Sequence, residues 1–223
     1  MATSSPLPIE EKVGSDFNDD LLLRAQKKSW DILYSVAKEI KPGMTESEAH
    51  ALMKTRVAEA GAEKIWHPPQ IRFGKNTSKS FAQKGDDTVV LQENDHFFMD
   101  IGPVFDGYEG DVGASFVLGS EPHLQKLCDD SKTIFNEVKN HWMKTGTSGA
   151  ELYAFAEKAA SSRGWLLNPE GASGHRVSEF PHSAHYRGKL KAFDRQPTPN
   201  RWILEIQLFD QERGIGAFFE DLL

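Results

Sequence analysis

The sequence predicts an α+β domain built twice over: two helices and then strands, followed by the same again. Three observations carry this. The stretch Gly43–Gly61 aligns without gaps on Gly146–Gly164, with Gly, Thr or Ser, Glu, Ala and Gly at matched places, as in a degenerate internal repeat. A longer amphipathic pattern precedes each copy. Short apolar runs bounded by Gly and Pro follow each copy and read as strands.

Residues 1–18 are polar with two prolines and read as a mobile tail; residues 19–223 read as a single domain. Residues 19–40 place Leu22, Ala25, Trp30, Leu33, Val36 and Ala37 on one helical face, and Pro42-Gly43 ends the pattern. Thr45-Glu46-Ser47-Glu48 is a capping box: the Thr hydroxyl and the Glu carboxylate each satisfy an amide of the other's residue. It opens a second helix to about Ala60, stopped by Gly61. Residues 121–143 read as the third helix, ending near Gly146. Ser148-Gly149-Ala150-Glu151 caps a fourth that stops at Gly164. The expected strands are Gln70–Phe73, Thr88–Leu91, Phe97–Ile101, Val112–Leu118, Ile203–Phe209 and Ile215–Phe219. Asn168–Arg201 is loop-rich and basic, with Arg176, Arg187, Lys189, Lys191 and Arg195. A solvated loop is the ordinary reading of these charges; a rim that attracts an anionic substrate group is the sharper one.

The chemistry is concentrated around two aspartates eleven residues apart, Asp100 and Asp111. Asp100 ends the apolar run Phe97-Phe98-Met99, and Asp111 opens the run from Val112 to Leu118. Gly102, Pro103 and Gly107 make a turn between them, and a hairpin brings the carboxylates to one level. Two anions in an apolar sheet repel and lose hydration, so a positive charge belongs between them. A metal ion supplies it, or an arginine such as Arg72; a pair of surface acids is the bland alternative. Further ligand types lie downstream: His175 and His182, seven apart after a Gly-rich loop, Glu205 within Trp202–Leu208, and Glu220 within Gly216–Leu223. Singly, each has an ordinary explanation in an exposed edge, a loop or a frayed end.

The order Asp, Asp, His, Glu, Glu, with these surroundings, resembles the pita-bread metallopeptidases, the family of methionine aminopeptidases, proline-specific aminopeptidases, prolidases and creatinase. Asp100-Ile101-Gly102 to Gly107-Tyr108-Glu109-Gly110-Asp111 is the strongest match, then Gly174-His175 to His182 and Gly216 to Glu220-Asp221. The resemblance covers residues 19–223. It implies a pita-bread fold, two pseudo-equivalent helix-helix-strand halves around a curved antiparallel sheet with the site between them. It implies two divalent metal ions (Mn, Co, Fe or Zn) held by Asp100, Asp111, His175, Glu205 and Glu220. Asp111 and Glu220 would bridge the ions, Asp100 would bind one, and His175 and Glu205 the other. Glu205 would also act as the general base, and His182 would contact the substrate and its oxyanion. The implied activity is hydrolysis of an amide C–N bond, with an aminopeptidase or Xaa-Pro-peptidase reaction first and a creatinase-type reaction on a non-peptide C–N bond second. A catalytically inactive binding module of the same fold is a third reading, from a different class.

Several departures bear on the substrate. The family's upstream His is missing from Phe73–Phe81, where Ser80 is the nearest candidate. Glu205 is followed by Ile206 rather than Pro, Val177-Ser178 replaces Ile-Gly after the first His, and Phe218 stands where prolidases carry Arg. Trp66, His67, Tyr186 and Phe218 are candidate pocket walls, with core packing an equal account of each.

Composition bounds the partners. A net charge of −7 argues against nonspecific binding to nucleic acid or anionic membrane. No apolar stretch approaches the ~20 residues that span a bilayer. Cys128 is the one cysteine, so no intramolecular disulfide forms, and its place in the Leu124-Leu127-Cys128 helical pattern marks it as core. The N-terminus lacks the charged-then-apolar pattern of a secretory signal. The expectation is a cytoplasmic protein acting on a peptide or small amide, with a homodimer drawn from the family's habit.

Overall fold

The computed structural model of the chain describes residues 8–223. Its helices are α1 (Asp19–Glu39), α2 (Glu46–Glu59), α3 (Pro122–Thr145) and α4 (Gly149–Ser161). Each starts where a side chain takes up free amides. The Asn18 side chain accepts from the amides of Asp20 and Leu21, and Glu121 accepts from Leu124 with Pro122 opening the first turn. Thr45 with Glu48 and Ser148 with Glu151 complete both capping boxes, at the matched places of the repeat. Gly146 ends α3 in the left-handed region at φ 64°, which a Cβ would oppose.

The strands are β1 (Lys64–Ile65), β2 (Gln70–Phe73), β3 (Asp95–Ile101), β4 (Pro103–Phe105), β5 (Tyr108–Glu109), β6 (Val112–Leu118), β7 (Leu166–Leu167), β8 (His175–Arg176), β9 (Trp202–Asp210) and β10 (Ile215–Leu222). The large sheet runs β2-β3-β6-β10-β9-β7, with β8 also on β9; a small one runs β1-β4-β5. All pairings are antiparallel. The order reads alike from both ends. The β3–β6 hairpin of the first half meets the β9–β10 hairpin of the second along β6–β10, and each half contributes one outer strand. This is the two-fold architecture that the repeat predicts.

Strand alternation divides the large sheet into two faces. Phe219 stacks on Trp30 and packs edge-on against Phe135, while Asp221 accepts from Gln26 Nε2 and Trp30 Nε1. That face is the one covered by α1 and α3. The other face carries Phe98, Asp100, Glu205, Gln207, Phe218 and Glu220, which line a cavity. With both faces covered, β9 is buried along nearly its whole length.

Some expectations change. Thr88–Leu91 is not a strand: Asp86 folds back to hold the Thr88 amide and hydroxyl, and Val90 makes a single bridge to Thr45. Leu91 then exchanges backbone hydrogen bonds with Met44 and Gly43, bracing the α1–α2 turn. The tail expected through residue 18 is anchored from Pro8 onward; residues 1–7 lie outside the described residues. Buried Glu11 accepts from Trp202 Nε1 at 2.6 Å and from the Thr198 amide at 2.8 Å. Arg176 is no solvated loop charge. It is fully buried, donates to the Arg201 and Lys12 carbonyls, and burial brings its pKa down to about 10. Strands β1, β4, β5, β7 and β8 escape a periodicity reading because two or three residues carry no period.

The matched caps make a direct prediction. Thr45→Ala and Ser148→Ala should each lower unfolding stability by about 1 kcal/mol, read as a shift in the urea midpoint with unchanged slope.

Candidate metal centre

One register row of the sheet carries three carboxylates. Gln70 pairs with Asp100, Asp100 with Gly113, Gly113 with Glu220, and Glu220 with Glu205. Directly paired residues in antiparallel strands share a face, so Asp100, Glu220 and Glu205 converge on one side. Gly113 stands between Asp100 and Glu220. A Cβ there would lie 2.5 Å from the Phe218 ring and 2.8 Å from Glu220 Oε1, so the bare glycine makes the room the acids occupy.

Asp111 lies on the same side, two residues before Gly113. Between β3 and β6 the chain leaves the large sheet for the β4–β5 hairpin. Its turn at Asp106-Gly107 has positive φ at both residues, the Asp-Gly geometry of tight hairpins. His175, on β8, pairs with Ile203 and brings Nε2 to 2.8 Å from Asp111 Oδ2. From the other flank, His67 Nε2 stands 3.3 Å from Asp100 Oδ1 and 3.3 Å from Asp111 Oδ1. Potential ligand atoms of His67, Asp100 and Asp111 lie within 4.8 Å of one another, as do those of Asp111, His175 and Glu220. The two groups share Asp111. Glu205 lines the same cavity beside them and accepts from the Gly174 amide.

The electrostatics are those of crowded, dehydrated acids. Burial first, then the charges of Asp100, Asp111 and Glu205, push Glu220 well above the usual carboxylate range. Burial raises Glu205 to about 7, with His175 opposing and Asp111 and Asp100 adding. Burial also raises Asp100. Asp111 goes the other way: burial works against its charge, but His175 and His67 hold it down at about 2. The same contacts outweigh burial at the imidazoles, taking His175 to about 10 and His67 to about 9. Asp100 Oδ1, Asp111 Oδ2 and Glu220 Oε1 are buried with no partner in hydrogen-bond geometry among the described residues. Orphaned carboxylate oxygens facing one another beside two imidazoles are the donor set of divalent transition-metal ions, so the residues present fit such ions.

A second layer holds these groups. Gln26 on α1 grips the backbone of Asp111: its Nε2 donates to the Asp111 carbonyl at 2.5 Å, and its Oε1 accepts from the Asp111 amide at 2.8 Å. Tyr153 on α4 does the same for Glu205, its hydroxyl donating to the Glu205 carbonyl and accepting from the Glu205 amide. Glu109, buried, accepts from both the amide and Nδ1 of His182, the latter at 2.6 Å. Sequence reading passed over all three. Glu109 had a signal, as an acid two residues before Asp111 in a buried stretch; Gln26 and Tyr153 had none, since each acts across the fold.

Of the residues expected at the site, Asp100, Asp111, His175, Glu205, Glu220, His67, Phe218, Trp66 and Ser80 line one cavity of about 410 Å³. His182 and Tyr186 do not. His182 stacks on His175 at 5.2 Å with Trp66 at 5.0 Å, its Nδ1 engaged by Glu109, so it stands behind the first imidazole rather than on the wall. Tyr186 packs against Trp202 instead. Cys128 is buried, as expected of core.

The family model described as Metallopeptidase family M24 matches residues 20–222. The chain belongs to this family. Its relatives include a methionine aminopeptidase of Thermococcus onnurineus, 26% identical over 163 residues, covering 72% of this chain and 52% of that protein. Methionine aminopeptidase 2 of Bacillus subtilis is 25% identical over 202 residues, covering 86% and 80%. The chain spans about half the length of several of the curated relatives it matches. Among solved structures, prolidase from Thermococcus sibiricus superposes with a TM-score of 0.77 at 17% identity, over 96% of this chain and 57% of that one. Methionine aminopeptidase from Thermotoga maritima gives 0.72 at 15% identity, over 95% and 93%. These likenesses show the pita-bread fold. No helix among the described residues is long and apolar enough to cross a membrane.

Two predictions follow from this geometry. Gln26→Leu strands the buried amide and carbonyl of Asp111 and should cost about 1–3 kcal/mol or more, measured by chemical denaturation. In metal-stripped M24 protein, Glu205 at about 7 and His175 at about 10 hold protons more tightly in the folded chain than in the unfolded one. Their contributions are therefore present at low pH and lost as pH rises through those windows. The melting temperature of stripped protein should fall between about pH 5 and about pH 9. Metal-loaded protein should not follow it, because cations replace the protons.

Proposed function

We propose that this M24 protein is a dinuclear metal-dependent hydrolase that cleaves an amide C–N bond, most simply at the N-terminus of a peptide. The observation that carries the reading is the single sheet row holding Asp100, Glu220 and Glu205 around Gly113, with Asp111 and His175 facing it. Asp100, Asp111, His175, Glu205 and Glu220 hold two divalent ions, of the Mn, Co, Fe or Zn kind. When bound, such ions supply Lewis acidity and a water nucleophile usable at neutral pH.

The chain's own residues do the rest. Glu205, on the cavity wall beside Asp111 and His175, takes a proton from the attacking water and returns it to the leaving nitrogen. His182, clamped by Glu109 and stacked on His175, steadies the plane of that imidazole. Trp66 Nε1, a buried donor without a partner on the cavity wall, offers a hydrogen bond to a substrate oxygen. Phe98 and Phe218, tilted against each other at 5.3 Å, form an apolar floor for a side chain. A cytoplasmic setting and a homodimer belong to the same reading.

A non-peptide C–N substrate, as in creatinase-type chemistry, is the second reading. It is favoured by Ser80 and Phe218 on the cavity wall, at the places where, by the resemblance, the family's peptidases carry the upstream His and prolidases carry Arg. A screen of Met-Xaa and Xaa-Pro peptides beside small amides, on Mn- and Co-loaded protein, separates the two. In either case Asp111→Ala should lose bound metal, by elemental analysis, together with turnover. An Asp111→Ala variant that kept full turnover would end the mechanism.

A further inference from the structure

We propose that His67 is itself a metal ligand, a sixth donor outside the set of five, giving the Asp100 side of the centre its own imidazole. The inference rests on the dinuclear reading above. His67 Nε2 is equidistant, at 3.3 Å, from one oxygen of Asp100 and one of Asp111, and its side chain is largely buried. Its Nδ1 lies 3.0 Å from the Pro68 carbonyl, which can only accept. In the neutral ring the proton is therefore on Nδ1, and once a cation displaces the second proton the Nε2 lone pair is available to it between the two acids. His175 is arranged the same way: Nδ1 on the Arg176 carbonyl, Nε2 toward Asp111. Asp111 is thus flanked by two imidazoles in the same tautomer, one for each metal position.

The fold delivers His67 rigidly. Strand β1 pairs with β4 across the small sheet, and the Trp66 amide donates to the Gly102 carbonyl at 2.8 Å. Trp66 packs edge-on against the His67 ring at 4.4 Å. A Cβ on Gly102 would collide with Trp66 Nε1 and His67 Cδ2, so the bare backbone of Gly102 is what lets both rings lie across the Asp100 strand. The consequence is a choice of metal. Carboxylate alone suits Mn and Mg, whereas an imidazole at each position shifts both toward Co, Fe or Zn.

The test is titration of metal-stripped wild type, His67→Ala, His67→Gln and His175→Ala with Co²⁺ and, separately, Mn²⁺. Binding is followed by cobalt d–d absorption and by elemental analysis after desalting, with circular dichroism confirming fold. Wild type should bind about two Co²⁺. Both His67 variants should retain one, bind the other at least about tenfold more weakly, and lose preference for Co²⁺ over Mn²⁺ at that position. The cobalt spectrum should change differently in His67→Ala and His175→Ala. Two Co²⁺ of unchanged affinity and spectrum in the His67 variants would overturn the inference alone. No cobalt on wild type would overturn the dinuclear reading and the inference with it.

Discussion

Four carboxylates, Asp100, Asp111, Glu205 and Glu220, are buried around one cavity, and the rest of the molecule is organised by that cost. Removing an ionised carboxylate from water costs several kcal/mol unless something positive meets it. Two imidazoles, His67 and His175, meet part of the charge. The remainder is relieved by protons, which is why Glu220 and Glu205 are pushed upward, or by cations. A sheet is well suited to assembling such a cluster. Its pairing register places residues far apart in sequence, Asp100 and Glu205 among them, on one line. It can leave a glycine in that line so that neighbouring acids lean together.

The pseudo-two-fold arrangement explains how the cluster is kept in place. The seam β6–β10 joins the two halves, and each half presses a helix-borne polar side chain onto the strand that bears its acid. Gln26 clamps the backbone of Asp111; Tyr153 clamps that of Glu205. Both grip backbone rather than carboxylate, so the acids keep their lone pairs for the cavity. The clamps are not images of one another under the repeat: Gln26 sits on the first helix of its half and Tyr153 on the second helix of its half.

How much of this was legible in the sequence depended on the range of the interaction. Helix starts at Thr45 and Ser148 were readable because a capping box is closed within four residues. The acids were readable because a carboxylate inside an apolar strand pattern is chemically conspicuous. Thr88–Leu91 was misread because Val and Leu in a row suggest a strand whether or not an edge is available, and here only Val90 finds a bridge partner. Pro8–Asn18 was misread because its anchor, Glu11 on Trp202, spans nearly the whole chain. At His182 the sequence did not announce the partner: a carboxylate far off in the chain, Glu109, engages Nδ1 while the ring stacks on His175.

The departures that the resemblance marks at Ser80 and Phe218 fall on the cavity wall and none falls on an acid, and the physics accounts for such an asymmetry. Exchange of a wall residue such as Phe218 or Phe81 alters which molecule fits, at a cost set by apolar packing that neighbours can absorb. Exchange of one acid in the row leaves the others with unbalanced charge and orphaned oxygens, a cost felt by the fold itself. A chain can therefore drift in substrate while its acids stay fixed. On the metal-ligand reading, His67 joins the fixed part. Gly102 and Trp66 hold its ring in place, and from the cavity wall its Nε2 faces Asp100 and Asp111. A residue held that way belongs to the cost of burying the carboxylates, not to the choice of what they act upon.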